Sequence, residues 1–512
     1  MGKNQSPAGD ASGSLVSTGV EGLDDILGGG LPAGRLYLVQ GSPGSGKTTV
    51  GLQFALAGRD AGEKALYVTL SETRDELHAV ARSHGWDLAG VEILEMFSED
   101  EFAPEAEQSV LYPAEVELGE AAQHAIEAIE LLSPARVVFD SLSEMRLLAQ
   151  SSLRYRRQIL ALKQFLAERR ITVLCLDNKS NDPEGSELHS IAHGVIALDQ
   201  RVETFGPDRR RVRIVKLRGV KYRGGYHDFA LDRGGLYVFP RLVAAEHHAN
   251  FDVTPQSTGV PGLDDLLGGG LVPGTNILFA GPSGVGKTTT AVRTVLSALE
   301  RGQRAVYYLF DEGVGTLRAR SAALGMDLEA HIQVGGLQLR QVDPAELSPG
   351  EFTSRVRQAV EQDGASFVVI DSLNAYMRAM PGERFLFLQL HELFSYLNQR
   401  GVTTVLVMSQ HGQIGEGRSD IDLSYISDAV LMFRFFEASG ELHGAISALK
   451  SRMTPHLHTI HEFRIVPGKG LLVGDALRDF RGVLTGLPVV SGLSAIEGGE
   501  TGSPPPGAAG SM

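Results

Sequence analysis

Short apolar runs alternate with longer amphipathic stretches along most of this chain. The runs RLYLVQ, ALYVTL, RVVFD and TVLCLD are the length of single strands and are rich in Val, Leu and Tyr. Between them lie stretches such as RRQILALKQFLAERR (156–170), whose apolar positions recur with the period of a helix. This alternation predicts βαβ units, and therefore an α/β fold with a mostly parallel sheet flanked by helices.

The pattern occurs twice. The segment STGVEGLDDILGGGLPAGRLYLVQGSPGSGKTT (17–49) returns as STGVPGLDDLLGGGLVPGTNILFAGPSGVGKTT (257–289), and VVFDS (137–141) returns as VVIDS (368–372). A repeat of this length predicts two tandem domains. We place them at residues 15–245 and 246–485, with disordered tails at 1–14 and 486–512.

Composition narrows the class of protein. A net charge of −15 over 512 residues argues against general binding to nucleic acid, which is itself a polyanion. The single cysteine, Cys175, cannot form an internal disulfide and lies in an apolar run expected to be a buried strand. No apolar stretch approaches the length of a membrane helix, so we expect a cytoplasmic protein without membrane contact.

Each repeat carries a glycine-rich loop of the form G-x-x-x-x-G-K-T between an apolar strand and a helix. In such P-loops, backbone N–H groups surround phosphates, the lysine neutralises phosphate oxygens and the first threonine binds Mg²⁺. Two copies in register make an accidental match improbable. The predicted ATP-binding residues here are Gly41, Ser42, Pro43, Gly44, Ser45, Gly46, Lys47, Thr48 and Thr49, and Gly281, Pro282, Ser283, Gly284, Val285, Gly286, Lys287, Thr288 and Thr289.

Acidic residues follow two strands of each repeat. Asp140 and Asp371 end apolar strands, the place of a Walker-B carboxylate that holds Mg²⁺ together with Thr48 or Thr288. Three further acids, Glu72, Asp311 and Glu312, follow the strand after the P-loop helix. Spacing alone leaves two interpretations for these three: they activate the attacking group, or they cap the next helix.

Together these motifs resemble the KaiC family, whose members carry two RecA-like P-loop ATPase domains in one chain. The resemblance covers roughly residues 15–485 and includes RSHGWDL (82–88) and KLRG (216–219). It implies a homo-hexamer with ATP and Mg²⁺ between subunits, and slow hydrolysis in the N-terminal ring. It also implies serine/threonine autokinase and autophosphatase chemistry in the C-terminal ring, and a timing or signalling role with other clock or signalling proteins.

The resemblance assigns further residues. Four basic residues in matching positions would contact the phosphates of a neighbour's ATP: Lys216, Arg218, Lys450 and Arg452. Leu217, Ser83 and His456 also match positions that contact nucleotide in the family. Ser424 matches the phosphoacceptor, with Tyr425 where the family usually has threonine, and Arg378 matches an arginine near that site. Ser424 as an ordinary polar loop residue, and Arg378 as an ordinary surface arginine, remain open.

The chain departs from the family at its paired glutamates. Ser71-Glu72 stands at the first pair, so a water-orienting role there rests on Glu72. Asp311-Glu312 stands at the second, where the first acid is one methylene shorter, so the kinase step is expected to be slower.

Two other function classes remain as alternatives. The basic run DRRRVRIVKLRGVKYR (208–223) and the RecA-like resemblance allow a DNA-associated motor, although the run alternates with apolar residues like a β-hairpin. DNA-stimulated ATP hydrolysis is the observation that favours this class. A nucleotide-loaded scaffold with little turnover is the other alternative, and a silent ATPase is the observation that favours it.

Overall fold

Strands and helices alternate along both halves of the chain, as the hydrophobic pattern predicts. The computed structural model describes residues 14–96, 113–149, 151–179, 185–202, 206–378, 386–409, 425–438, 440–468, 470–483 and 489–490. Two compact units are present. The first ends at Leu242 and also includes Ala345–Val356, and the second consists of Val243–Pro344 and the chain from Arg357 onward.

The elements of the first half begin with two short paired strands and a short helix. Its strands are β1 (Leu15–Val16), β2 (Leu31–Pro32), β3 (Leu36–Gly41), β4 (Ala65–Thr69), β5 (Val91–Glu95), β6 (Arg136–Asp140), β7 (Thr172–Asn178), β8 (Gly194–Arg201), β9 (Arg209–Leu217), β10 (His227–Asp232) and β11 (Gly235–Phe239). Its helices are α1 (Leu23–Leu27), α2 (Lys47–Asp60), α3 (Arg74–Ser83), α4 (Pro113–Leu132), α5 (Leu142–Leu148), α6 (Ser152–Glu168) and α7 (Gly185–Ile191).

The second half repeats this order. Its strands are β12 (Asn276–Gly281), β13 (Ala305–Leu309), β14 (Leu337–Gln341), β15 (Phe367–Asp371), β16 (Thr403–Ser409), β17 (Ala429–Ala438), β18 (Glu441–Ser451), β19 (Ile460–Val466), β20 (Gly470–Ala476), β21 (Phe480–Arg481) and β22 (Val489–Val490). A 3₁₀ turn at Ala244–Glu246 precedes its helices, which are α8 (Pro261–Leu266), α9 (Lys287–Glu300), α10 (Val314–Ala323), α11 (Glu329–Gln333), α12 (Pro349–Glu361), α13 (Leu373–Arg378) and α14 (Leu386–Gln399).

Each half builds one large sheet, which within the described residues has nine strands. The order is β11-β10-β9-β8-β3-β7-β6-β4-β5 in the first half and β14-β13-β15-β16-β12-β17-β18-β19-β20 in the second. The six strands from β8 to β5 pair in parallel, and β9 to β11 add an antiparallel extension. The predicted fold class, tandem RecA-like α/β domains, is confirmed.

Close packing against the sheet fixes α2, the helix that follows the first P-loop. In α2, a Cβ atom at Gly51 would lie only 3.0 Å from Leu176 and 3.1 Å from Val138, so glycine lets the helix approach β6 and β7. Cys175 is fully buried in β7, as expected. The basic run at 208–223 forms one strand, β9, followed by a loop, and is therefore half of a hairpin with β8. No helix in the described part of the chain is long and apolar enough to cross a membrane.

Candidate functional site

The first P-loop lies where β3 ends and α2 begins. Gly44 and Gly46 have φ angles of 78° and 94°, in the left-handed region that glycine adopts most readily. The Lys47 ammonium donates to the backbone oxygens of Gly41 and Ser42, both at 3.0 Å. Burial lowers the pKa of Lys47, and Asp140 and Asp177 oppose that shift. The lysine is thus held across the mouth of the loop.

Asp140, the acid at the end of β6, contacts the P-loop threonine, as the sequence predicts. Its carboxylate accepts a hydrogen bond from the Thr48 hydroxyl at 2.8 Å and from the Tyr67 hydroxyl at 2.7 Å. Burial raises the pKa of Asp140, while these two hydrogen bonds and Lys47 act against the rise. Tyr67 was missed from sequence, although a signal existed: a tyrosine, Tyr307, recurs at the matching position of the repeat.

Glu72 is a half-buried acid beside this pair. Its Oε2 atom is buried and has no hydrogen-bond partner among the described residues. Burial, followed by the charges of Asp140 and Glu76, raises the pKa of Glu72 to about 7. The capping interpretation of Glu72 is wrong, because Thr73 caps α3 and forms a reciprocal capping box with Glu76.

The second P-loop repeats the geometry of the first. The Lys287 ammonium donates to the backbone oxygens of Gly281 (2.9 Å) and Pro282 (2.6 Å). Burial lowers the pKa of Lys287 to about 8, and Asp371 opposes the shift. Asp371 accepts a hydrogen bond from the Tyr307 hydroxyl at 2.7 Å and another from Thr288. Both halves therefore join threonine, aspartate and tyrosine in the same way.

The acids after β13 are held differently from Glu72. Asp311 accepts a hydrogen bond from the Ser372 hydroxyl, and Glu312 forms an ion pair with Arg320 at 2.8 Å. Helix α10 begins after Gly313, which provides no side-chain cap. Neither acid caps the helix, so the capping interpretation is also wrong in the second half. Each of these two carboxylates is therefore already bound to a side chain of the same half.

The basic residues assigned by resemblance lie away from the P-loop of their own half. Leu217 ends β9 opposite Gly194, the first residue of β8, so this end of β9 is at the amino edge of the parallel strands. The P-loops lie at the carboxyl edge. Lys216 donates to the backbone oxygens of His189 and Ala192, and Arg218 to that of Ser190. These side chains are not brought together with Lys47.

The matching pair of the second half lies at the corresponding edge. Lys450 donates to the Ser427 backbone oxygen at 2.7 Å. Arg452 donates to the Tyr425 backbone oxygen at 2.9 Å and lies 3.5 Å from the Asp428 carboxylate. A contact between these cations and phosphate therefore requires a nucleotide other than the one in their own P-loop.

The remaining predicted residues are scattered. Ser83 is exposed at the end of α3, where its hydroxyl donates to the Val80 backbone oxygen. The His456 ring packs on His458 with centroids 4.5 Å apart. Tyr425 is exposed, whereas Ser424 and the side chain of Arg378 lie outside the described part of the chain.

A buried polar network next to the first P-loop was also missed from sequence. Asp177, at the end of β7, is completely buried and accepts from Ser143 at 2.9 Å and from Arg146 at 2.8 Å. Gln40, on the adjacent strand β3, contacts Asp177 and also the His189 ring. These residues come from four separate elements, so spacing alone gave no signal for them.

The first loop fits a phosphate group. In the first loop, the Ser45 hydroxyl is buried and has no hydrogen-bond partner among the described residues. A Cβ atom at Gly41 would lie 2.2 Å from that hydroxyl, so only glycine leaves the cradle open there. Positive Lys47 and the start of α2 add a favourable field for an anion.

The comparisons with known proteins agree with this arrangement. The family model for the KaiC ATPase matches residues 16–243 and again 256–478. The circadian clock oscillator protein KaiC of Synechococcus elongatus is 28% identical over 483 residues, covering 92% of this chain and 91% of that protein. The circadian clock protein KaiC3 of Synechocystis is 24% identical over 487 residues, covering 94% and 96%. Because the family model covers both repeats, this chain belongs to the KaiC ATPase family.

Proposed function

We propose that both P-loops bind ATP with Mg²⁺ and that the first half hydrolyses ATP with Glu72 as the general base. Thr48 and Asp140 would hold the metal in the first half, and Thr288 and Asp371 in the second. Bound Mg²⁺ would neutralise charge on the phosphate oxygens. The observation that carries the proposal is the half-buried carboxylate of Glu72, which lies beside Asp140 and whose Oε2 atom has no hydrogen-bond partner in the described part of the chain.

Different residues of the first half have different roles in hydrolysis. Glu72, with a pKa near 7, takes a proton from the attacking water, because a base of matched pKa is efficient near neutral pH. Lys47 and the backbone N–H groups of the loop stabilise negative charge on the phosphates. The Tyr67 hydroxyl fixes the orientation of Asp140 from behind.

Glu72→Gln tests this proposal. In a Lys287→Ala background, which silences the second half, the substitution is expected to lower the rate of ATP hydrolysis by about 10² to 10⁴-fold, the usual contribution of a general base. Nucleotide binding should persist. Glu92→Gln is the matched control, because Glu92 is an exposed acid of β5 and is not among the groups that shift the pKa of Glu72. An unchanged rate in Glu72→Gln contradicts the role of this residue as the base.

We further propose that the second half phosphorylates and dephosphorylates this chain at Ser424 within a homo-hexamer. Family membership supports the reaction, and in this proposal Asp311 and Glu312 activate the acceptor hydroxyl after they release Ser372 and Arg320. Arg452 holds the backbone of Tyr425, the residue after the acceptor. A neighbour's nucleotide would then lie against Lys216 and Arg218, or Lys450 and Arg452. Such a phosphorylated ring would serve timing or signalling through other clock or signalling proteins.

Intact mass after incubation with Mg·ATP tests the kinase proposal. The expected result is one added phosphate per chain that maps to Ser424 and disappears in Ser424→Ala. Tyr425→Phe is the control that keeps the neighbouring aromatic ring and removes its hydroxyl. An unchanged mass during ongoing hydrolysis contradicts the kinase, and stimulation of hydrolysis by DNA would favour the motor alternative.

A further inference from the structure

A cavity at the amino edge of the first sheet is lined by four basic side chains. It measures about 190 Å³ and has an apolar floor that includes Leu36, Leu166 and Val173. Its rim carries Arg35, Lys163, His193 and Arg218. We call these four residues the basic pocket. Arg35 immediately precedes β3, Lys163 belongs to α6, His193 immediately precedes β8 and Arg218 immediately follows β9.

Within the described ranges of the chain, no carboxylate forms an ion pair with the side chains of the basic pocket. Lys163 donates to the backbone oxygen of Ile191 at 2.6 Å, and Arg218 to that of Ser190 at 3.0 Å. Burial and the charges of Arg218 and Arg35 lower the pKa of Lys163. Burial also lowers the pKa of His193, a backbone hydrogen bond to Arg218 opposes that shift, and the charges of Arg35, Arg218 and Lys163 lower the pKa further. The like charges of Arg35, Lys163 and Arg218 therefore crowd this cavity.

The second half has no such crowding at the matching positions. Strand register places Thr275 at the position of Arg35 and Asp428 at that of His193, and α14 places Phe394 at the position of Lys163. Of the four basic residues, only Arg218 has a basic counterpart in the second half, which is Arg452. Its guanidinium lies 3.5 Å from the Asp428 carboxylate, so the second half balances its charge internally.

We propose that the basic pocket of the first half binds a phosphate group. Arginine presents paired N–H donors that match phosphate geometry, and a multiply charged anion relieves repulsion among several cations. Among the residues that line the basic pocket, the family resemblance assigns nucleotide contact to Arg218 only. Arg35, Lys163 and His193 are the residues that this inference adds.

Two sources supply that chemistry. A free phosphate or pyrophosphate anion needs no second subunit. The terminal phosphate of a neighbour's ATP needs the proposed ring, and this source alone rests on the proposed function. Since the binding measurements do not use turnover, failure of the basic pocket and failure of hydrolysis remain distinguishable.

Pyrophosphate titration by calorimetry tests the proposal on the full-length chain. The nucleotide-free wild type should bind one more pyrophosphate than Arg35→Thr/Lys163→Phe, which carries the residues of the second half. His193→Asp, which copies Asp428, should lose the same site through pairing with Arg218. Lys64→Met is the matched control, because Lys64 likewise donates to a backbone oxygen, that of Leu132. Retained Trp86 fluorescence shows that each variant is folded.

A second titration, with a non-hydrolysable ATP analogue in both P-loops, separates the sources. A pyrophosphate site that persists indicates a free anion. A site that vanishes, together with analogue binding weakened about tenfold in Arg35→Thr/Lys163→Phe, indicates a neighbour's nucleotide. Equal pyrophosphate binding by the nucleotide-free wild type and both variants, with equal analogue affinities, overturns the proposal.

Discussion

Glu72 and Glu312 occupy the same place in the two repeats but have different surroundings. The Glu72 carboxylate is partly buried, and its Oε2 atom has no hydrogen-bond partner among the described residues. Glu312 is paired with Arg320, whose counterpart in the first half is Val80. The threonine, aspartate and tyrosine of the two sites are meanwhile arranged alike. The phosphate-binding parts of the repeats therefore match, whereas the acid that would activate the nucleophile differs.

The strand next to the P-loop differs between the halves as well. Asp177 of β7 faces Gln40 of β3, while the matching residue of β16 is Met408, which faces Ala280 of β12. The first half thus has a hydrogen-bonded network at this position, and the second half has two apolar side chains there. Because Asp177 and Met408 are buried, substitutions at the two positions are expected to change the free energy of unfolding differently in the two halves.

Asp177→Met is the substitution with the largest expected effect. Removing the acid leaves the partly buried Arg146 without its 2.8 Å ion-pair partner, and breaking a buried pair costs about 4 kcal/mol. Urea unfolding followed by fluorescence measures this loss in the first half alone, because the single tryptophan of the chain is Trp86.

Two further variants sharpen that result. Asp177→Met/Arg146→Leu should recover most of the lost stability, since it replaces both partners and leaves no unpaired charge. Met408→Leu, a nearly isosteric change in the second half, should leave the Trp86 transition unchanged. A single Asp177→Met variant as stable as wild type would show that the network contributes nothing to the fold.

Sequence was informative about the sites wherever the determinants are local. The P-loops are contiguous, and Asp140 and Asp371 end recognisable strands, so both could be placed correctly. The tyrosine that donates a hydrogen bond to each aspartate lies 73 positions from it in the first half and 64 in the second, and no spacing rule connects the two residues. Arg320 lies on α10 and pairs with Glu312, which comes before that helix begins. This contact could be predicted only if the orientation of α10 were known. The contacts that distinguish the halves are thus long-range or orientation-dependent.

Acid sensitivity is the next difference that we expect. The buried His227 ring accepts a hydrogen bond from the Arg241 backbone N–H at its Nδ1 atom, an arrangement that only neutral imidazole allows. Burial lowers the pKa of His227 to about 4, from about 6.5 in the unfolded chain. This contribution to stability is complete above pH 6.5 and is lost as the pH falls towards 4, at most about 3 kcal/mol.

The matching residue of the second half, His461, faces the Gly474 backbone oxygen with its Nδ1 atom and so donates there. Urea midpoints of the Trp86 transition between pH 7 and pH 4.5 should therefore fall less steeply in His227→Gln than in wild type. His461→Gln is the control and should keep the wild-type slope. Identical slopes in all three proteins would contradict the assignment of His227 as the acid-sensitive group.

Arg320→Val is the smallest expected effect and tests the opening comparison directly, because valine is the residue of the first half. In a Lys47→Ala background, which silences the first half, loss of the 2.8 Å ion pair frees the Glu312 carboxylate to approach the nucleophile. Hydrolysis by the second half should rise about tenfold. Arg318→Val is the matched control, since Arg318 pairs with Glu329 and not with Glu312. A lower rate in Arg320→Val would mean that Arg320 positions Glu312 for catalysis. The two halves would then differ in how the acid acts, and not only in whether an ion pair holds it.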